Sequence, residues 1–403
     1  MSCPQRPIRA AVLTVILALA LLPVTTPASA APAGGDRWTT DLSRVDGDDV
    51  NVRHSRSGLR LADPRPAPVR GRHRTLTEGL YLAAPHTLRR PATRVRAEVA
   101  ARVTPGATVE TQVRGWRADG WTEWREATRG AVFDRPVSRV QTRVVLTAAA
   151  SGATAEVRSV RLTADTVAAV SAATPGRAYR VYATRVGLVG EVTANGHTIQ
   201  PRDHFVALPS RRGLAPLNTG DYTVRVCTTT GSRCEYAPAW DVGPWNTRDD
   251  YWNLSAVREN WKDLPQGRPQ AQAAYQYGYN GGRDQFGRVV LNPAGIDLAD
   301  GTFWDGLQLT TNAWVDVAYL WTGTGPRGVV GDGPLNVRSG AGTGYAVRGL
   351  AARYANVPVE CYVVGQTIVG PYRTTSRWNR VAAGQYVSHA YISAIYGGTV
   401  PPC

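Results

Sequence analysis

Apolar and polar positions alternate with a period of two over several short stretches of this chain. Val95, Ala97, Val99 and Ala101 alternate with Arg94, Arg96, Glu98 and Ala100. That is the pattern of a strand with one face on a core. Residues 109–116, 137–146 and 155–162 repeat it, and several short strands at such spacing predict an antiparallel β-sandwich. The stretch before them, 36–91, reads as loop-rich, with turn signals at Asp46-Gly47-Asp48-Asp49 and Asp63-Pro64-Arg65-Pro66. Beyond an Ala/Ser/Val/Thr-rich linker at 166–177, strands are predicted at 179–184, 205–208, 222–227 and 314–321, with a tight turn at Asn195-Gly196. Between them lies an insertion, 245–288, in which Leu254, Val257, Trp261 and Leu264 fall at the spacing of a short amphipathic helix. A glycine-rich linker, 325–333, precedes more short strands, a small all-β barrel by pattern. The expectation is a mainly β chain: a sandwich (31–165), a central domain (178–324) and a C-terminal barrel (334–403).

The first 30 residues change the compartment expected for this fold. Arg6 and Arg9, an uncharged apolar run from Ala10 to Val24, and Ala28-Ser29-Ala30 read as a secretory signal peptide. No later stretch is apolar enough for a membrane span. Four cysteines remain after such cleavage, Cys227, Cys234, Cys361 and Cys403. In an exported chain they predict two disulfides. Three pairings are possible; Cys227–Cys234, closing a hairpin-sized loop, and Cys361–Cys403, pinning the C-terminus, are preferred. The formal net charge of +15 is carried almost wholly by arginine, since Lys262 is the only lysine. A basic exported protein is drawn to anionic polymers, and wall polymers fit that setting better than nucleic acid. Spread along the chain as they are, the arginines equally describe a generally basic surface. No zinc spacing, P-loop, dinucleotide fingerprint or nucleophile elbow is present, so neither a metal nor a cofactor is expected.

Two segments resemble known families. Leu335-Asn336-Val337-Arg338-Ser339-Gly340 with Tyr345-Ala346-Val347, closed by the run from Gly384 to Ile392, resembles a bacterial SH3-type module. The resemblance implies wall or peptide binding, with Tyr345, Tyr386 and Tyr391 lining a groove while Arg338 and Trp378 stabilise the barrel. The central domain resembles the six-stranded double-psi β-barrels of the rare-lipoprotein-A, expansin and barwin relatives. It carries Thr193-Ala194-Asn195-Gly196, Leu208-Pro209, Trp240-Asp241-Val242-Gly243-Pro244 and Ile296-Asp297-Leu298-Ala299 in the family's order. By resemblance Asp241 and Asp297 line a polysaccharide groove. The chain departs from the family in the 245–288 insertion and in His204, one position out of step with the histidine that precedes Leu-Pro in the lytic relatives.

Three readings follow for function. Two carboxylates across a groove can act as general acid and base on a glycosidic bond when their environments separate their pKa values. Asp241 and Asp297 would do this, with Trp240 and Trp245 stacking sugar rings. This makes a peptidoglycan-active lytic transglycosylase or glycosidase. The second reading is an expansin-like wall-binding protein without turnover, whose modules act by avidity. The third, a barwin-like protease inhibitor, stands behind both.

Overall fold

In the computed structural model the residues described are Met1, 35–65, 77–118, 120–148, 152–167 and 176–403. The signal-peptide segment and most of the 166–177 linker lie outside them. Residues 35–403 form one compact, mainly β unit.

The N-terminal part is a ten-stranded sheet that doubles back on itself. Two long strands, His86–Val103 and Ala131–Ala148, carry register shifts. Through them the sheet passes from one layer to the other. Leu59, Val95, Val157 and Leu162 of one layer share a core with Tyr81, Val113, Val144 and Leu146 of the other. The expectation of a loop-rich 36–91 is corrected here. Asp36–Thr39, Val52–Ser55, Gly58–Leu61 and Thr77–Leu82 are strands. Their four- to six-residue lengths and frequent charges hide the alternation.

The central part is a closed barrel of six strands. Val206–Leu208, Ala294–Leu298, Arg177–Arg185, Ala313–Tyr319, Thr223–Thr228 and Cys234–Val242 pair in that order, and the last returns to the first. Two contacts are parallel: Arg177–Arg185 with Ala294–Leu298, and Val206–Leu208 with Cys234–Val242. The other four are antiparallel. The predicted helix at 254–264 is absent. Trp261 has φ +58°, in the left-handed region, and Asp250 Oδ1 accepts from the Glu259 N–H at 2.6 Å. Asp249 Oδ1 also binds the buried Arg258. Buried acids thus hold this segment in turns, and the one α-helix described runs from Gln270 to Tyr277.

The barrel sheet continues into the C-terminal part, because Cys234–Tyr236 pair in parallel with Gly349–Ala351. Gly349 has φ +149°, and a Cβ there would meet the Cys234 carbonyl oxygen at 1.6 Å, so glycine permits the close approach. The expected 325–333 linker is also corrected. Arg327–Val330 is the central strand of a three-stranded sheet, between Asn356–Pro358 and Ile392–Tyr396. Both preferred disulfides, Cys227–Cys234 and Cys361–Cys403, are formed.

Sandwich and barrel are packed together rather than tethered. Tyr81, Val144 and Leu146 belong to the sandwich core, whereas Leu80, Leu82 and Val145 belong to the barrel's core cluster. One sheet is therefore apolar on both faces, which is why the alternation expected over 137–146 gives way to three successive apolar residues at Val144, Val145 and Leu146. Trp124 plugs this junction. It is fully buried, donates its indole N–H to the Leu214 carbonyl at 3.2 Å, and has the Arg114 and Arg143 guanidiniums over its ring at 4.6 and 4.4 Å. Beside it, the buried Glu123 accepts from the Trp321 indole at 3.0 Å, the Asn253 amide at 2.8 Å and the Trp252 indole.

Candidate functional site

The barrel brings Asp241 and Asp297 onto one row. Ala207 pairs with Asp241 on one side and with Asp297 on the other. Paired residues on neighbouring strands share a face. Val206, Leu208, Ile296 and Leu298 lie in the core cluster, so the intervening residues occupy the opposite face. The strands are about 4.8 Å apart, which sets the two aspartates' Cα atoms two spacings, about 10 Å, from each other. Thr184 extends the row, since it pairs with Asp297 and donates its hydroxyl to Asp297 Oδ1. Asp241 Oδ1 accepts the Ala194 N–H at 2.9 Å. The order of motifs read in the sequence, Thr193–Gly196 before Asp241, thus corresponds to a physical contact. Both carboxylates are covered: Asp241 is 3% exposed and Asp297 5%.

Of the two tryptophans beside Asp241, one lies in the core and the other is partly buried against the insertion. Trp240 lies in the barrel core, its ring near Phe205, His197 and Tyr354 and its N–H on the Thr219 carbonyl at 2.9 Å. Alternation along the strand turns it away from the aspartate's face. Trp245 packs with Ala271, Ala274 and Val290 of the insertion and donates to Asn292 Oδ1 at 3.0 Å. The burial of Trp240 in the core corrects its reading as a sugar platform.

His204 has its own partner. Its Nδ1 lies 2.9 Å from Oε1 of the fully buried Glu235, which also accepts from the Thr302 hydroxyl at 3.0 Å. Burial pushes the imidazole pKa down, but the hydrogen bond and charge of Glu235, with Asp305 and Asp203 nearby, outweigh it and raise the pKa above the ordinary value. The pair ties the barrel wall to the short π-helical turn Thr302–Gly306. Glu235 is the one acid in the otherwise uncharged run 234–240, a signal that sequence reasoning passed over.

The C-terminal part holds a cavity of about 330 Å³. Tyr391, predicted for the groove, lines it. So do Arg338 and Trp378, predicted only to stabilise the barrel, and the exposed Asp332. The Arg338 and Trp378 side chains are also hydrogen-bonded within the C-terminal part. Arg338 donates to the Thr343 and Tyr345 carbonyls at 2.9 and 3.0 Å, and Trp378 to the Gln366 carbonyl at 2.9 Å. Tyr345 is exposed, with its ring close against Gly340. Tyr386 pairs in register with Arg338. Neither Tyr345 nor Tyr386 is among the lining residues of that cavity. An acid and a guanidinium over a floor of Leu335, Ile368 and Trp378 suit a small ligand carrying both polar ends and apolar surface.

Among the described residues, one cluster of acids, Asp46, Asp48 and Asp49, has carboxylate oxygens within 4.8 Å of one another. Burial, then the neighbouring acids, push Asp48 up to about 7. No described helix is long and apolar enough to cross a membrane.

The barrel coincides with a recognised sequence unit. Residues 177–318 match the family model described as Domain of unknown function (DUF8814), a stretch that runs from the first barrel strand almost to the end of the last and includes the 245–288 segment. Two Bacillus subtilis (strain 168) proteins, both described as uncharacterized, are similar over shorter stretches. YraI is 32% identical over 79 residues, 17% of this chain and 66% of its own length. YraJ is 33% identical over 66 residues, 16% of this chain and 56% of its own length. The chain thus spans just under two thirds of one relative and just over half of the other. No solved structure matches it.

Proposed function

We propose that this is an exported, wall-associated protein that binds peptidoglycan or a related polysaccharide without cleaving it. The observation that carries the reading is the covered state of Asp241 and Asp297, each already hydrogen-bonded within the barrel. A general acid must reach the glycosidic oxygen directly or through one water, and covered carboxylates favour binding over turnover. The closed barrel with two parallel strand pairs supports a double-psi relationship. The Tyr391–Arg338–Asp332 cavity supports an SH3-type module that takes a short peptide or sugar. Two disulfides and the N-terminal leader pattern support export. The experiment is co-sedimentation of the mature protein with purified sacculi, with Tyr391→Ala and Asp332→Ala as cavity variants. Binding weakened by these variants supports the reading; no binding by the wild type refutes it.

The lytic reading retains one favourable observation, the two aspartates in register either side of Ala207. Mass spectrometry of the soluble fraction tests it in the same experiment.

A further inference from the structure

A second surface, on the barrel rather than the C-terminal module, has the chemistry of a ligand site. Trp304 sits on the Thr302–Gly306 turn and is 39% exposed. The guanidiniums of Arg185 and Arg202 lie 4.6 and 4.9 Å from its ring centroid. With Arg202, Gln308, Leu309 and Thr310 the indole lines a shallow open groove.

This surface is held in place. Arg185 is oriented by Asp300 at 2.8 Å and Arg202 by Asp305 at 3.5 Å. Each such contact engages one terminal nitrogen, and both arginine side chains are about half exposed, so N–H donors remain for a ligand. From below, Thr302 and His204 converge on Glu235, and Arg233 donates to the Gly306 and Asp305 carbonyls at 3.1 and 2.9 Å. A Cβ on Gly306 would lie 1.4 Å from Glu235 Oε2, so this close fit requires glycine. Arg202 and Gln308 have φ of +62° and +56°, the left-handed region that side chains other than glycine's adopt at a cost. Two such residues border one groove beside a π-helical turn, and strained backbone of this kind clusters at ligand sites.

We infer that the Trp304 groove is a binding site for an anionic glycan. Arg185 and Arg202, held over the indole, take the glycan's carboxylate or phosphate groups, and the part of the indole left exposed packs against the apolar surface of the sugar. The site goes beyond the wall-binding reading and does not depend on the C-terminal cavity.

Calorimetric titration of the full mature chain tests it with three probes: a uronate hexasaccharide, a phosphorylated oligosaccharide and a neutral hexasaccharide. Binding of either charged probe, weakened by added salt and at least tenfold stronger than the neutral one, is expected. Preference between the two charged probes identifies the anion. Trp304→Ala lowers the affinity at least tenfold, Trp304→Phe largely restores it, and Arg185→Gln with Arg202→Gln removes the charge preference. Thermal melting confirms that each variant is folded. No binding of either charged probe, or binding unchanged in Trp304→Ala, overturns the inference. The Tyr391→Ala variant separates the two sites: it leaves hexasaccharide binding intact whether or not it alters sacculus binding.

Discussion

Replacing Glu123 tests whether sandwich and barrel are one cooperative structure. In Glu123→Ala three donors lose their acceptor: the indoles of Trp252 and Trp321 and the amide of Asn253. All three are buried, so no bulk water replaces the carboxylate. A buried donor left unsatisfied costs about 1–3 kcal/mol, and relaxation of neighbouring side chains reduces the sum. A net loss of about 3–5 kcal/mol is expected, against about 5–15 kcal/mol for a whole domain. Urea unfolding followed by tryptophan fluorescence and far-ultraviolet circular dichroism measures it. The wild type should unfold in one transition; the variant should have an earlier midpoint or separate into two. Protonation should act in the same direction. Burial pushes the Glu123 pKa up, but the Arg125 charge and the three hydrogen bonds outweigh this and hold it below the usual glutamate value of 4.5. A depressed folded-state pKa contributes stability that is present above the unfolded value and lost as pH falls through the folded one. Glu123→Gln should therefore lose less stability on acidification below about pH 4.5 than the wild type. A Glu123→Ala variant within about 1 kcal/mol of wild type, still unfolding in one step, would refute the reasoning.

Further outcomes follow from the same structure. Trp124→Ala removes a fully buried indole between two guanidiniums and should cost about 3–5 kcal/mol, read from the same denaturation curves. Serine at Cys361 and Cys403, 42 residues apart, should cost about 4 kcal/mol on the loop-entropy model, against about 2.5 for the seven-residue separation of Cys227 and Cys234; calorimetric melting would rank them. Burial pushes Glu259 up to about 7, even against Arg212, and Asp249 up to about 6, even against Arg258. Raised carboxylate pKa values contribute stability that is present below the unfolded values and lost as pH rises through the folded ones. The Glu259→Gln variant should therefore show a flatter fall in stability between pH 5 and 8 than the wild type.

The β character was legible in four of the six barrel strands, because Thr223–Thr228 and Ala313–Tyr319 alternate, 179–184 reads as a strand and Val206–Leu208 belongs to an apolar run ending at Pro209. The parallel closure was not, since nothing local to Val206–Leu208 specifies that Cys234–Val242 runs beside it. The sandwich–barrel junction was hidden for a different reason. Arg114, Gln141 and Arg143 look like solvent-facing residues, yet they are buried against Asp221, Gln112 and the Arg211 carbonyl from distant parts of the chain. The helix predicted at 254–264 had apolar spacing but not the backbone, because Asp249 and Asp250 bind that segment into turns. Asp241 and Asp297 were legible as a pair through motif order. Their burial was not, because exposure depends on what packs over a sheet face and leaves no mark in the strand itself.

The most direct test of wall binding without turnover uses the mature protein and its Asp241→Asn/Asp297→Asn variant with purified sacculi. Pelleted protein is quantified, and the soluble fraction is analysed by mass spectrometry. The account predicts that wild type and variant both pellet and that neither releases fragments. Anhydro-sugar or reducing-end products from the wild type, lost in the variant, would contradict it and make the aspartates catalytic.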